Sequence, residues 1–319
     1  MAGVSPMTVS RVLNSPDKVA PLTVVKVKEV IARSGFVPNL LAGGLSSQRS
    51  RLIAAIVPQM VNSIFIETIQ AFNEVLVKEG YHVLMGMSGY PESREEELVT
   101  TILARRPDAI YLTGVGRSPA TRQRLKAAGI AVVEVWDLTA DPIDLVVGFS
   151  HDACGEAVAR HLLERGYRKI GLVWADDTRA CARLAAVQRT LQAAGLSPAQ
   201  VATSAAPSNT RKGRDGLVQL LDSGAEFDAI ACSSDALAQG VMAEAQRRGL
   251  RVPQDLAVIG FGDLEAAANT YPPLTTVRVF SDEIGRLAAE GLLQRLEGAR
   301  PDAPAVIDTG FALIQRAST

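Results

Sequence analysis

The chain has 319 residues, of which 47% are hydrophobic, and its formal net charge is −1. A chain of this length can bury a large core and holds about two domains with an appendage. No apolar run reaches the roughly 20 residues of a membrane span, and the start of the chain lacks the apolar stretch of a secretory signal. These features predict a soluble cytoplasmic protein and argue against a membrane protein.

The first predicted element is a helix within AGVSPMTVSRVLN, residues 2–14. Ser5 can cap its first turn, and Pro6 already has the φ of the first helical position. A second helix is predicted over about residues 22–33, where Gly35 suits the C-terminal cap. Both helices carry an apolar stripe, but together they supply little apolar area for a core.

Positive charge is concentrated at the start of the chain. Residues 1–51 hold seven basic and two acidic side chains, so this segment is basic while the rest of the chain is acidic. A basic segment of this kind suits a polyanion such as DNA. A solvated basic tail would give the same count.

From residue 52 onward, short apolar runs alternate with amphipathic helical stretches, which is typical of an α/β fold with parallel sheets. The predicted strands are LIAAIVP, YHVLMGM, DAIYLTG, AVVEVW, LVVGF, KIGLVW, FDAIACS and LAVIGF. This number of strands predicts two lobes, with a break near Phe149 and Ser150. The cleft between the lobes is the expected ligand site, because open parallel sheets bind ligands at the carboxyl ends of their strands.

The end of the chain departs from this alternation. Pro272 and Pro273 cannot join a central strand, which predicts a crossing between the lobes. A last helix is predicted over residues 282–297, followed by a short hairpin around residues 308–310. The predicted division is a DNA-binding segment of 1–36, a hinge and linker of 37–51, a first lobe of 52–149 plus about 281–308, and a second lobe of 150–280 plus about 309–319.

The chemistry-bearing residues do not form a catalytic or metal-binding pattern. The three cysteines are far apart and outside any CxxC spacing, and the three histidines lack ligand-like companions. Buried structural thiols and surface histidines are therefore expected, with no metal and no cofactor. There is no nucleophile elbow, phosphate loop or paired acid and base, which argues against an enzyme.

Three stretches resemble the LacI family of bacterial transcription repressors: AGVSPMTVSRVLN at 2–14, VPNLLAGGLSS at 37–47 and YPPLTTVRV at 271–279. The resemblance spans nearly the whole chain. It implies an all-α helix-turn-helix and a hinge helix in front of a two-lobed core like the periplasmic binding proteins. It also implies three partners, namely palindromic operator DNA, a small-molecule effector and a second copy of the chain, and the absence of a terminal heptad repeat favours a dimer over a tetramer.

The resemblance makes the first helix the recognition helix in the major groove. Pro6 and Met7 would face base edges through apolar contacts, and Arg11 would be the best polar reader. In the hinge, Asn39 would touch phosphate and Leu45 would wedge into the minor groove. The other residues expected at the DNA are Ser5, Thr8, Ser10 and Asn14.

Two departures from the family pattern affect the DNA-binding segment. Family members carry a further helix before the AGVS motif, whereas this chain starts at Met1. The helix-turn-helix is therefore expected to be incomplete, and the alternative function is a sugar or sugar-acid binding protein that does not bind DNA. Gly43 and Gly44 each cost the hinge about 1 kcal/mol of helix propensity relative to Ala, so the hinge should fold only with DNA and the dimer partner.

The resemblance also implies ligand-binding residues near the ends of strands. Asn62 and Phe65 would open the first core helix, with Phe65 beside the ligand. Arg183 matches the family arginine that grips the ligand, and Arg179 lies one helical turn before it, although both could be surface arginines on a solvated helix. The second lobe would contribute Ser234, Asp235 and Gly262. Gly262 replaces a family aspartate, which favours an anionic ligand.

Three segments resemble the gluconate-operon repressor branch of the family, namely VVEVWD at 132–137, DLVVGF at 144–149 and GYPESREEELV at 89–99. This implies gluconate or a related sugar acid as effector. Glu134 and Trp136 are expected on one face of their strand with Asp137 just beyond it, so at least one of the three should reach the cleft. Phe149 is expected at the cleft as well.

Overall fold

The computed structural model describes residues 2–36, 49–60, 64–298 and 305–319. They belong to two compact units, Met1–Arg51 and Leu52–Thr319. Three residues predicted to bind DNA or ligand, Asn39, Leu45 and Asn62, lie outside the described residues. No helix in the described ranges is long and apolar enough to cross a membrane.

The first unit contains helices α1 (Pro6–Asn14) and α2 (Pro21–Ser34). The predicted start of α1 is confirmed, since the Ser5 hydroxyl accepts a hydrogen bond from the Thr8 amide at 3.2 Å. The predicted cap of α2 is confirmed too, because Gly35 has a φ of 64°. Val12 of α1 and Val27 of α2 are buried, so the two helices share a small apolar contact.

The second unit contains twelve described strands. They are β1 (Leu52–Val57), β2 (His82–Met87), β3 (Ala109–Thr113), β4 (Ala131–Val135), β5 (Leu145–Gly148), β6 (Ile170–Ala175), β7 (Gln200–Ser204), β8 (Ala229–Cys232), β9 (Ala257–Ile259), β10 (Thr276–Val279), β11 (Ala305–Asp308) and β12 (Phe311–Ile314). Six form a sheet in the order β11-β5-β4-β3-β1-β2, and four form a second sheet in the order β7-β6-β8-β9. Every pairing within these two sheets is parallel, as the alternation predicts.

Helices flank these sheets. They are α3 (Phe65–Lys78), α4 (Glu92–Leu103), α5 (Pro119–Ala128), α6 (His151–Glu164), α7 (Thr178–Ala193), α8 (Thr210–Asp222), α9 (Asp235–Arg247), α10 (Glu265–Ala268) and α11 (Ser281–Leu296). The pair α6 and α7 packs especially closely, because a Cβ added at Gly155 would lie 2.3 Å from the Arg183 carbonyl oxygen. Only glycine permits this spacing, and it brings the two helix starts together.

One expectation about the strands is wrong, and one strand was missed. The hairpin around residues 308–310 does not form, because β11 pairs with β5 while β12 pairs antiparallel with β10. The turn is present, but it carries the chain from the six-stranded sheet to a separate two-stranded one. Strand β7 was not predicted from its sequence, QVATS, because it is a polar, partly exposed edge strand without an apolar run.

Candidate functional site

A cavity of about 80 Å³ opens at the carboxyl ends of strands from both large sheets. This volume is several times the roughly 10–15 Å³ that one water molecule requires. Trp136 follows β4 of the first sheet, whereas Asp177 follows β6 and Ser233 follows β8 of the second. The cavity therefore lies at the edge where parallel sheets bind ligands.

Arg183, in the second turn of α7, is the buried cation of this cavity. Its Nη1 donates to His151 Nδ1 at 2.8 Å and its Nη2 donates to the Ser233 carbonyl at 3.1 Å. The guanidinium carbon lies 3.8 Å from the centre of the Phe261 ring, which is a cation–π distance. Burial lowers the pKa of Arg183 to about 10, so the guanidinium remains charged at neutral pH.

Arg179 lies one helical turn before Arg183 and also lines the cavity. Its guanidinium carbon is 5.2 Å from the centre of the Phe65 ring. A Cβ added at Gly114 would lie 2.8 Å from Arg179 Nη1, and Gly114 has a φ of 86°. Gly114 therefore leaves the space that this guanidinium occupies.

The positive charge of the two arginines is not balanced by a contacting carboxylate. The side-chain partners found for Arg183 are the neutral groups of His151, Ser233 and Phe261. Asp177 and Asp137 are near enough to counteract the lowering of its pKa, yet among the described residues neither forms an ion pair with Arg183 or Arg179 within 4.0 Å. The two arginines outnumber the one carboxylate of the described wall, Asp177, so the cavity lining carries a net positive charge.

His151, the first residue of α6, connects Arg183 to the first sheet. Its Nε2 lies 2.8 Å from the carbonyl oxygen of Trp136, while its Nδ1 faces Arg183. Because a carbonyl only accepts and a guanidinium only donates, the proton belongs on Nε2 and the ring is neutral. Burial, and then the charge of Arg183, hold the pKa of His151 well below its usual value.

Aromatic rings form the apolar wall. Phe65 and Trp136 meet edge to face with ring centres 5.0 Å apart. The Trp136 indole donates from Nε1 to the Thr68 hydroxyl at 3.0 Å, which fixes the ring in its buried position. Phe149 packs behind this wall, 5.8 Å from Trp136 between ring centres, and is itself fully enclosed.

The expectation that Glu134 and Trp136 share a strand face is wrong. Strand β4 ends at Val135, and Trp136 has a φ of 69°, so the alternation of side chains stops there. Glu134 is buried elsewhere, where it accepts from Arg117 Nη1 and from the Ile143 amide, both at 2.8 Å. Trp136 lines the cavity, and Asp137 lines an adjoining cavity of about 90 Å³ that also touches Arg179.

Of the residues predicted to bind ligand from the second lobe, Ser234 lines the cavity and Asp235 does not. The Ser234 hydroxyl caps α9 by accepting from the Leu237 amide. Asp235 is fully buried instead, because its two oxygens accept from the Thr276 hydroxyl at 2.6 Å and the Leu264 amide at 2.8 Å. Burial raises the pKa of Asp235 to about 6.

Glu134, Phe149, Asp235 and Gly262 are therefore absent from the cavity wall, in contrast to the expectation that they bind ligand. Gly262 is buried and has a φ of 127°, and a Cβ there would approach the Ile64 side chain at 3.0 Å. Phe149 packs behind Trp136, whereas Glu134 pairs with Arg117 away from the cavity. Asn62 lies outside the described residues, so its expected role stays a prediction.

Sequence reasoning missed several residues of the wall, of which His151 is the most informative. The histidines were expected at the surface, but His151 and His161 are both buried. Among the cysteines, expected to be buried, Cys181 is exposed. The available signal for His151 was its position directly after Ser150, a helix N-cap at a strand end, where parallel sheets place their ligand groups.

In the first unit, the side chains expected to meet DNA lie on an accessible face. Pro6, Met7, Ser10 and Arg11 are exposed, and Met7 has 65% of its surface accessible. Thr8 is half-buried, with its hydroxyl 3.0 Å from that of Ser5. This face of α1 is open to a partner.

Comparison with known proteins identifies both parts of the chain. Residues 1–39 match the model of bacterial regulatory proteins of the lacI family, and residues 159–319 match the periplasmic binding protein-like domain. The HTH-type transcriptional regulator GntR of Pseudomonas aeruginosa is 39% identical over all of this chain and 93% of its own length. GntR of Escherichia coli is 30% identical over 98% of this chain and 94% of its own length.

Solved structures agree with these relatives. A LacI family regulator from Silicibacter pomeroyi has a TM-score of 0.93 and 31% identity, covering 99% of this chain and 96% of its own. The regulator GntR from Chromobacterium violaceum has a TM-score of 0.79 and 36% identity over 84% of this chain and 98% of its own. The expected fold class is confirmed, and the chain belongs to the LacI family of bacterial regulatory proteins, in its gluconate-repressor branch.

Proposed function

We propose that this protein is a dimeric, ligand-responsive repressor that binds operator DNA through α1 and releases it when a sugar acid such as gluconate occupies the cavity. The observation that carries this proposal is the pair Arg179 and Arg183, whose charges face the cavity without a contacting carboxylate among the described residues. A buried cation of this kind is stabilised by an anionic ligand. A sugar acid supplies the carboxylate.

The cavity also suits the rest of a sugar acid. Arg183 Nε is buried and has no hydrogen-bond partner in the described structure, so it can donate to a ligand carboxylate. Polar groups of Tyr90 and Ser234 lie in the wall for hydroxyl groups, and Trp136 offers an apolar face to the carbon chain. A few oriented polar groups on an apolar wall are characteristic of small-molecule sites.

The cavity favours binding over catalysis. Both ring nitrogens of His151 are engaged, one with the Trp136 carbonyl and one with Arg183. A general base needs a free nitrogen within reach of the proton that it removes. We therefore assign this site to an effector that is bound rather than to a substrate that is converted.

The exposed edge of the first sheet is the proposed contact between the two copies. Edge strand β2 leaves Leu84, Met85 and Met87 exposed, at 50%, 46% and 69% of their surfaces. Apolar side chains on an open strand edge favour association. Sedimentation should show a dimer that Met87→Lys weakens; a stable tetramer, or a monomeric wild type, would contradict this assignment.

The effector assignment is tested by calorimetry with D-gluconate, a keto-gluconate, 6-phosphogluconate and neutral hexoses. Arg183→Ala should weaken gluconate binding by about tenfold or more, since hydrogen bonds to charged groups contribute about 1.5–3 kcal/mol. The matched control is Arg189→Ala, an exposed arginine of the same helix that pairs with Asp152. Binding of neutral hexoses without binding of the acids would refute an anionic effector.

The DNA assignment is tested separately by fluorescence anisotropy with operator DNA from the gene's own upstream region. Saturating gluconate should lower operator affinity by about 5–150-fold, the range that corresponds to a coupling of 1–3 kcal/mol. Arg11→Ala should weaken operator binding without changing gluconate affinity. Gluconate binding that leaves operator affinity unchanged would favour the alternative of a sugar-acid binding protein that does not regulate DNA.

A further inference from the structure

A short chain of hydrogen bonds joins the first sheet to the buried arginine of the cavity. It runs from the Trp136 carbonyl, at the end of β4, to Nε2 of His151, and from Nδ1 of His151 to Nη1 of Arg183. Both distances are 2.8 Å, and all three residues are buried. His151 thus holds the guanidinium of Arg183 in place, and it is itself part of the cavity wall.

The group that accepts from Arg183 differs from the groups that accept from two other buried arginines of the described structure. Arg117 is held by the carboxylate of Glu134 at 2.8 Å, and Arg295 by the carboxylate of Asp144 at 2.6 Å. Each of these carboxylates fixes its arginine and cancels its charge. The imidazole of His151 accepts a hydrogen bond through a neutral lone pair, so it fixes Arg183 without forming an ion pair with it.

We propose that His151 is a specificity-determining residue, which positions Arg183 without neutralising it and so makes the cavity prefer an anionic ligand to its uncharged counterpart. This inference rests on the proposed function of the cavity as an effector site. A carboxylate in the place of His151 would pair with Arg183 and repel the carboxylate of a bound sugar acid. Since charges interact more strongly in a buried site than in water, a charge at this position changes the preference that Arg179 and Arg183 give the cavity.

The low pKa of His151 agrees with this role, because it keeps the ring neutral at the pH of the cell. The place of His151 at the start of a helix is compatible with an acidic residue, although a carboxylate cannot donate to the Trp136 carbonyl. His151 is the first residue of α6, where acidic side chains are favoured by the helix dipole, and Ser150 supplies the N-cap independently. A change of charge at this position can therefore be examined without loss of the helix.

The test compares His151→Asp with His151→Asn, which have the same shape and differ only in charge. Calorimetry measures the affinities of both variants and the wild type for D-gluconate and for D-glucitol, which carries a hydroxymethyl group in place of the carboxylate. His151→Asn offers a neutral amide oxygen to Arg183 and should retain the preference for gluconate. His151→Asp should lose gluconate affinity by about tenfold or more relative to His151→Asn, a difference of about 1.4 kcal/mol, and should not lose glucitol affinity to the same extent.

Equal gluconate affinities of the two variants, or parallel losses for both ligands, would overturn the role of His151 while leaving the effector assignment intact. A wild-type protein that does not prefer gluconate to glucitol would instead contradict the proposed function, and with it this inference. Circular dichroism checks that each variant is folded. If His151→Asp does not fold, the pair His151→Glu and His151→Gln makes the same comparison with a longer side chain.

Discussion

Arg117 and Arg183 are both buried arginines near the ends of strands, but their surroundings are opposite. Arg117 contacts the carboxylates of Glu95 at 2.9 Å and Glu134 at 2.8 Å, and it is part of the closed interior of the first sheet. Arg183 contacts neutral groups and faces a cavity. Burial alone therefore does not identify an arginine that binds a ligand. A buried arginine that faces a cavity and contacts no carboxylate is the better candidate.

The largest loss of stability is expected when Arg117 loses its most buried partner, the carboxylate of Glu134. Glu134→Gln leaves the Arg117 charge buried with only the partly exposed Glu95, and breaking a buried pair costs about 3–5 kcal/mol. Urea denaturation should show a decrease of this order in the free energy of unfolding. Glu156→Gln, in an exposed pair with Arg160, is the matched control, and an equal loss in both variants would contradict the comparison.

The second prediction concerns the arginine without a charged partner. Arg183→Met keeps most of the side-chain volume and removes a buried charge, so it should lower the free energy of unfolding by much less than Glu134→Gln. The same variant should lose about tenfold or more of its gluconate affinity. Urea denaturation and calorimetry on one preparation measure both effects, and a stability loss as large as that of Glu134→Gln would make Arg183 a structural residue.

The pH dependence of stability extends the comparison to Asp235, a buried carboxyl that accepts hydrogen bonds from neutral donors. The pKa of Asp235 is raised to about 6 in the folded chain, from 3.8. Between these values the folded state binds the proton more tightly than the unfolded state, so the contribution of Asp235 to stability falls as the pH rises through this window. Asp235→Asn lacks this contribution, and its stability relative to the wild type should therefore improve between about pH 4 and pH 6.5. Denaturation curves of the ligand-free proteins at several pH values measure this trend, and a constant difference would contradict it.

The smallest change in stability and gluconate affinity is expected from a substitution of Gly114, which leaves space for the Arg179 guanidinium. Gly114→Ala introduces a Cβ 2.8 Å from Arg179 Nη1, at a φ of 86° that disfavours alanine. A loss of about 1 kcal/mol in stability is expected from the backbone, together with a severalfold loss of gluconate affinity from the displaced guanidinium. Gly116→Ala, where a Cβ would meet no atom within 4 Å, is the control, and equal gluconate affinity of the two variants would contradict the expected effect of displacing Arg179.

The fold class could be predicted from the sequence because most strands and helices have a local pattern of apolar and polar residues. The apolar runs of β1, β3 and β6 and the helices between them follow local periodicity, and both predicted helices of the first unit form. The pairing of β11 and β12 escaped prediction, since strand partners lie far away in sequence. A turn of three residues predicts that the chain reverses, but it does not specify which sheet receives the next strand.

The cavity was predictable to the extent that its residues follow strand ends or family motifs. Arg179, Arg183, Trp136 and Ser234 line it, as the family resemblance and the strand ends suggested. The expectation that Trp136 shares a face with Glu134 required the alternation of β4 to continue past Val135, and the positive φ of Trp136 ends that alternation. Such a local backbone conformation at a non-glycine residue results from tertiary packing and has no sequence signal of its own.

The close packing at Gly155 bears on how a ligand is received. Because the backbones of α6 and α7 come close there, His151 is held beside Arg183, and the guanidinium is already hydrogen-bonded in the ligand-free structure. Ordering a long side chain on binding costs about 0.5–1.5 kcal/mol, and here that ordering occurs when the chain folds. Gly155 is therefore expected to favour ligand binding, although it does not line the cavity.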